Sequence, residues 1–301
     1  MEFKAYTDLL KKENILFSEN EPMSRHTTFR IGGASRVFVM PENTSRLEHS
    51  VKAARDMGLR YYILGKGSNV LFADEGYDGV VISTEKLTGC HREGPVVHCE
   101  CGVSFTALAR TCMEAGLAGL EFAYGIPGSV GGAVYMNAGA YGGEVSQVLL
   151  SATYFDVESG ETVTLTNEEH NFGYRQSIYK EASGKIILSA DFKLSEGVKE
   201  EILEKMDGYM LSRRAKQPLE YPSAGSVFKR CSGHFTGQMI EELGLKGYTV
   251  GGAQVSEKHA GFIINRGGAT SEDVLGLIEY IKERVHEGYG LSLECEVIYI
   301  K

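Results

Sequence analysis

Positive charge is in short supply: 31 Lys and Arg face 40 Asp and Glu, a formal net charge of −9. That balance argues against a sequence-independent grip on nucleic acid or on an anionic membrane. A phosphate-bearing ligand must therefore be met by a local basic pocket. No stretch approaches the ~20 apolar residues of a membrane span. The opening MEFKAYTDLLKKEN carries charges where a signal peptide needs an apolar core, so the expected location is the cytoplasm. The six cysteines (Cys90, Cys99, Cys101, Cys112, Cys231, Cys295) show neither C-x-x-C spacing nor the density of a disulfide scaffold. Reduced, structural thiols are expected, with Cys99 and Cys101 on one face of a strand. None of the eight histidines has metal-ligand spacing such as H-x-x-x-H, so no metal is expected. Tryptophan is absent, proline occurs six times, and there is no internal repeat or low-complexity tract. The remainder is ordinary for a soluble globular protein, long enough for a large core and two domains.

Glycine is the exception. Gly119 to Glu144, GLEFAYGIPGSVGGAVYMNAGAYGGE, holds eight glycines in 26 residues, and its only charged residues are Glu121 and Glu144. Each glycine adds backbone entropy to be lost on folding. The usual compensation is a bulky, oxygen-rich ligand lying against the main chain, whose N–H groups then bind phosphate. The stretch reads as the bed of a dinucleotide cofactor. A second turn, Gly65-Lys66-Gly67-Ser68-Asn69, follows a strand and could cradle a pyrophosphate. It is neither a Walker A loop, lacking the earlier glycine, nor a Rossmann turn, with Val70 where the third glycine belongs. Alone, such a G-x-G turn is more often simply a turn.

Short strands and helices alternate through the first third. Strands are expected at Arg36–Pro41, Tyr61–Leu64, Val80–Ser83 and Val96–Cys101. A helix from about Ser45 has a capping box with Glu48, and another runs from Ser104 to Ala115 and stops at Gly116. Beyond the glycine-rich bed come strands at Ser151–Val157, Glu161–Thr166 and Ile186–Leu194, then a charged helix over Val198–Lys216. A domain boundary is placed near residue 206, dividing the chain into 1–206 and 207–301. The second part reads as a helix near Gln238–Leu243, strands near Gly252–Val255 and Phe262–Asn265, and an amphipathic helix over Ser271–Glu287 capped by Thr270 with Asp273. It closes on an alternating strand, LSLECEVIYI.

Five segments in order, GKGSNVLFADEGYDGVVI, EFAYGIPGSVGGAVYMNAGAYGGE, FGYRQSIYK, PSAGSVFKR and VSEKHAGFIINRGGAT…LECEVIYI, resemble the UDP-N-acetylenolpyruvoylglucosamine reductase family. The resemblance covers Ser24 to Lys301. It implies an α+β protein: a two-part FAD-binding region of the vanillyl-alcohol-oxidase (PCMH) type, its core at about 25–195, followed by a smaller α+β substrate domain. The short connection from Tyr209 to Ser226 resembles the second, shorter type of the family, which lacks an extra substrate-capping loop and its tyrosine. The implied reaction passes hydride from NADPH to non-covalently bound FAD, then to C3 of UDP-N-acetylglucosamine enolpyruvate, giving UDP-N-acetylmuramate for peptidoglycan. No protein partner is inferable. An FAD-dependent oxidase of the same fold, and a non-catalytic nucleotide-sugar or flavin-binding regulator, are the competing readings.

The resemblance also assigns roles. Arg175 matches the arginine that stabilises the enolate, Ser226 the proton donor to C2, and Glu296 the glutamate that helps polarise the enolpyruvyl group. Without the family these would be a surface arginine, a turn serine and a solvent-facing strand carboxylate. Many members carry proline where Cys295 stands here. The expected FAD contacts are Gly65, Lys66, Gly67, Ser68, Asn69, Gly125, Ile126, Pro127, Gly128, Ser129, Gly132, Gly139 and Ala140. Lys229 and Arg230, with Tyr141 and Gln238, are expected at the substrate; for His259, packing and a substrate contact both stand open.

Overall fold

The computed structural model describes residues 2–181, 184–231 and 233–301. Its contacts divide the chain into two discontinuous units. The first comprises Met1–Glu19, Val37–Lys66 and Gly79–Leu211, and the second Asn20–Arg36, Gly67–Asp78 and Ser212–Lys301. This differs from a single cut at residue 206. Met206 lies inside the helix Lys199–Lys216 and is buried, so a boundary there would cut a packed element.

The first unit is built on a five-stranded antiparallel sheet in the order Thr162–Thr166, Leu149–Asp156, Lys185–Lys193, Val96–Glu100, Cys90–Glu93. Its core includes Phe105, Phe122, Phe155 and Phe192, with the Phe105 and Phe122 rings edge to face, centroids 5.9 Å apart. The helix Phe105–Glu114 packs there because Phe105, Leu108, Ala109 and Cys112 recur at helical spacing. Ser104 caps it and Gly116, at φ +69°, releases the chain. Cys99 and Cys101 are both buried, as their spacing implied.

Strands Tyr61–Leu64 and Tyr77–Ser83 pair in parallel. This explains the uninterrupted apolar run Val80–Ile82, since parallel strands are covered on both faces. They belong to a four-stranded sheet in the order Leu16–Pro22, Ala34–Met40, Tyr77–Ser83, Tyr61–Leu64.

The second unit has a four-stranded antiparallel sheet ordered Ser223–Ser226, Phe262–Asn265, Ala253–Val255, Thr249–Val250. The helix Ser271–Tyr289 contributes Val274, Leu277, Ile278, Ile281 and Val285 to its core. That helix begins with the expected Thr270–Asp273 capping box and ends at Gly290, φ +68°.

Two local expectations need correction. The helix Thr44–Asp56 is capped by Asn43, whose side chain accepts from the Arg46 N–H, so Ser45 lies inside the helix and makes no capping box. The closing segment is not one continuous strand. Only Ile298–Ile300 is a strand, parallel to Val70–Phe72, while Cys295 makes an isolated bridge to Phe228 and the chain bends at Val297. Glu294 and Glu296 therefore do not continue the face that carries Ile298 and Ile300. The helix Glu2–Lys12 and the strands Leu16–Pro22 and Cys90–Glu93 were not anticipated.

Candidate active site

In the first unit the glycine-rich stretch is ordered by its neighbours. The Phe105 N–H donates to the Gly128 carbonyl (2.9 Å), Val130 N–H to Val103 (2.8 Å) and Gly131 N–H to Cys101 (2.8 Å). Thr106 pins the preceding turn: its Oγ1 accepts from Gly125 N–H at 3.2 Å and donates to the Ile126 carbonyl at 3.0 Å. A Cβ on Gly131 would lie 2.9 Å from the Cys101 Cβ, so this glycine serves close packing. Ser129, almost fully buried, caps the short helix Val130–Tyr135 and accepts from the Gly132 N–H at 3.3 Å. The amides of Val130, Gly131 and Gly132 are thus engaged within the fold.

The anion-binding capacity lies one step earlier. Among the described residues, no acceptor takes the main-chain N–H of Lys66, Gly128 or Ser129. A Cβ on Gly65 would sit 2.6 Å from Ser129 Oγ, which brings the first of these loops against the second. Unengaged amides on two adjoining glycine loops, one of which includes Lys66, fit a dinucleotide diphosphate.

Gly139 to Glu144 forms a hairpin with a two-residue turn at Tyr141 (φ +53°) and Gly142 (φ +84°), the type I′ geometry. A bulky residue in left-handed backbone is strained. Here the Tyr141 ring is held by stacking on Tyr209, centroids 4.4 Å apart and planes 3° apart, and its hydroxyl donates to the Tyr209 carbonyl. Arg175 also has left-handed backbone (φ +54°) and sits in the turn closed by Gly173 and Gln176. Its Nη2 donates to the Gly139 carbonyl at 3.3 Å, which places the guanidinium beside the hairpin. Buried Asn137 supports both: its Nδ2 donates to Gly173 and its Oδ1 accepts from Ser146 N–H. Behind this turn, His170 is fully buried. Its Nδ1 meets the Thr166 carbonyl, which can only accept, so the proton is on Nδ1 and Nε2 accepts from the Tyr179 hydroxyl. Burial lowers the His170 pKa.

In the second unit, Ser226 occupies a β-bulge. Ser223 pairs with Ile264 and Ser226 with Phe262, one extra residue being absorbed where Gly225 takes φ +77°. The bulge leaves Ser226 exposed. Glu296 lies on the adjoining segment: its N–H donates to Val227 at 2.7 Å, and Lys229 N–H donates to Glu294 at 2.9 Å. The structure therefore brings Ser226 and Glu296, two of the three expected catalytic residues, onto neighbouring segments of the second unit, while Arg175 belongs to the first. Asn69, expected at the cofactor, directs its Nδ2 to the Glu296 carbonyl at 3.0 Å, while its own carbonyl accepts from Ile298 N–H. Gly67, at φ +61°, is pressed on His26, where a Cβ would come within 2.0 Å of the carbonyl oxygen. Thr28 adds a tie that the sequence did not signal, donating its Oγ1 to the Ser223 carbonyl at 2.7 Å.

Of the residues expected at the substrate, Lys229 and Gln238 have local partners. Lys229 Nζ lies 2.8 Å from Glu294 Oε2, and Gln238 donates to Glu242 one turn along its helix. Arg230 is exposed. His259 Nδ1 accepts from Gly261 N–H, and burial lowers its pKa, which fits a neutral packing residue. Burial raises the Cys295 thiol pKa and so suppresses its reactive thiolate.

Residues 35–166 match an FAD binding domain, and residues 217–300 match the UDP-N-acetylenolpyruvoylglucosamine reductase C-terminal domain. A reductase of that name from Caldicellulosiruptor bescii is 46% identical over 302 residues, covering 100% of this chain and 95% of its own. The chain belongs to the UDP-N-acetylenolpyruvoylglucosamine reductase family. The reductase from Clostridium novyi is likewise 46% identical, across 98% of this chain and 94% of its own. The solved reductase of Thermus caldophilus superposes with a TM-score of 0.81 at 34% identity, covering 95% of this chain and 99% of that one. As a member of this reductase family with an FAD binding domain, the protein is an FAD-containing oxidoreductase. All thirteen expected FAD contacts, Gly65 through Ala140, fall within the matched FAD binding stretch. No helix among the described residues is long and apolar enough to cross a membrane.

Proposed function

We propose that the protein reduces UDP-N-acetylglucosamine enolpyruvate to UDP-N-acetylmuramate at the expense of NADPH, supplying the cytoplasmic synthesis of peptidoglycan and hence cell shape and division. The observation that carries this reading is the near full-length identity to reductases of this name, which spans the FAD-binding and C-terminal regions alike.

Bound FAD would supply the hydride chemistry that links NADPH to C3 of the enolpyruvyl group. The amides of Lys66, Gly128 and Ser129 would hold its diphosphate, with the flat glycine turns admitting the cofactor against the main chain. Residues of this chain manage the charge and the proton. Addition at C3 leaves an electron pair at C2, delocalised into the carboxylate as an enolate. Arg175 stays charged at any working pH and presents a planar donor fork to that carboxylate. Its bond to the Gly139 carbonyl preorients it, so little reorganisation is needed as charge develops. The Ser226 hydroxyl, pushed outward by the Gly225 bulge, gives its proton to C2. Glu296, fixed through its own carbonyl by Asn69 and through its N–H by Val227, polarises the enolpyruvyl group. One site serving NADPH and the sugar nucleotide in turn predicts ping-pong kinetics.

An anaerobic spectral titration tests the reading. One equivalent of NADPH should bleach the flavin band, and the enolpyruvyl substrate alone should restore it. Bleaching without recovery would leave a flavoenzyme with a different acceptor.

A further inference from the structure

A row of polar side chains crosses the open face of the five-stranded sheet, and the reductase chemistry makes no use of it. His91 on the strand Cys90–Glu93 pairs directly with His98 on Val96–Glu100, which pairs with Asp191, which pairs with Ser151. Glu93, two residues beyond His91, projects from the same face. One ligand atom from each of His91, Glu93 and His98 lies within 4.8 Å of the others, and all three side chains reach solvent. The second observation lies behind them. His98 Nδ1 is 2.8 Å from Asp191 Oδ1, and Asp191 Oδ2 accepts from the Ser151 hydroxyl at 2.8 Å. A carboxylate that takes the Nδ1 proton leaves the Nε2 lone pair directed outward, the arrangement that orients metal-ligating histidines.

We propose that His91, Glu93 and His98 bind a divalent transition metal, with Asp191 and Ser151 positioning His98. Two imidazoles and one carboxylate with open positions suit Zn2+ rather than Mg2+ or Ca2+, which take oxygen ligands. The two rings are stacked, centroids 4.7 Å apart and 17° from parallel. An ion must lie in the plane of each ring, so binding tilts them apart, a rotation that their exposed position permits. Cys90 is not part of the set, because it shares the opposite sheet face with Cys99.

Isothermal titration of the FAD-loaded, chelator-treated protein with Zn2+ tests this. One equivalent should bind, Mg2+ should not compete, and bound Zn2+ should raise the melting temperature. His91→Gln with Glu93→Gln should abolish that binding while leaving NADPH-dependent turnover unchanged. Asp191→Asn should keep the stoichiometry and weaken affinity about tenfold or more, the usual effect of losing such a support. Cys90→Ser should bind as the parent does. Absence of stoichiometric binding would overturn the site, as would unaltered binding in the His91/Glu93 variant or loss of binding in Cys90→Ser.

Discussion

Gly67→Ala separates two costs that usually occur together. At φ +61° an alanine pays about 1 kcal/mol for left-handed backbone. Its Cβ would also lie 2.0 Å from the His26 carbonyl oxygen and 2.9 Å from the Thr27 Cα. Both obstacles are main chain, so relief requires the loop to withdraw by about 1.5 Å to reach ordinary van der Waals separation. Withdrawal stretches the 3.0 Å bond from Thr28 N–H to the Gly67 carbonyl, worth about 1–2 kcal/mol once its partner is left poorly satisfied. The sum is about 2–3 kcal/mol. Gly58→Ala is the matched control, since Gly58 has φ +66° but nothing within 4 Å of its Cβ position, and it should cost only about 1 kcal/mol. Urea unfolding of both apoproteins, monitored by circular dichroism, measures the difference. FAD titration supplies the second readout: because Lys66 precedes this glycine, Gly67→Ala should weaken FAD binding more than tenfold, which is 1.4 kcal/mol. Equal unfolding midpoints for the two variants would refute the close approach to His26. Full loss of stability with undiminished FAD affinity would refute the cofactor role of the turn instead.

Ser226→Ala should leave flavin reduction by NADPH intact and slow the enolpyruvyl half-reaction by a hundredfold or more, measured by stopped-flow absorbance; equal slowing of both halves would remove it as proton donor. Asp74→Ala should lower stability by about 2–3 kcal/mol in urea, because Asp74 Oδ2 accepts from both the N–H and the hydroxyl of fully buried Ser271 at 2.7 Å, at the start of a helix. Burial lowers the pKa of His170 and His259, so the folded state favours their neutral forms. As pH falls below about 6.5 the unfolded chain gains protons that the folded chain does not, and stability declines. Urea midpoints across that range should show the decline, and His259→Asn should flatten it.

What could be read in the residues, and what could not, divides by the range of the interactions. Thr270 and Asp273 announced a helix start because both partners lie within four residues, and Phe105, Leu108 and Cys112 announced a buried helical face by spacing alone. Asn43 displaced Ser45 as a cap because either residue type can serve, and only the extended backbone at Asn43 decides between them. The five ordered motifs pointed to the cofactor and the chemistry. They did not show that the amides of Gly131 and Gly132 are engaged internally, since their acceptors come from Cys101 and Ser129 after folding. Nor did they show that Asn69 ties its turn to the closing segment, since its partner, the Glu296 carbonyl, is 227 residues away. The continuous alternation over LSLECEVIYI concealed the bend at Val297, because periodicity reports which residues are apolar but not where a strand changes partners.

The interleaved composition of the two units sets an order for synthesis. Asn20–Arg36 and Gly67–Asp78 leave the ribosome early, yet they belong with Ser212–Lys301. In particular, Val70–Phe72 must wait for Ile298–Ile300 before it gains its parallel partner. At ~5–20 residues per second, the more than two hundred intervening residues take on the order of 10–50 seconds to emerge. Throughout that interval an apolar strand, Val70-Leu71-Phe72, is available to wrong partners. The nascent chain therefore has its greatest need of chaperone protection between emergence of Val70–Phe72 and arrival of Ile298, and slow translation across that stretch should lower soluble yield more than slow translation elsewhere.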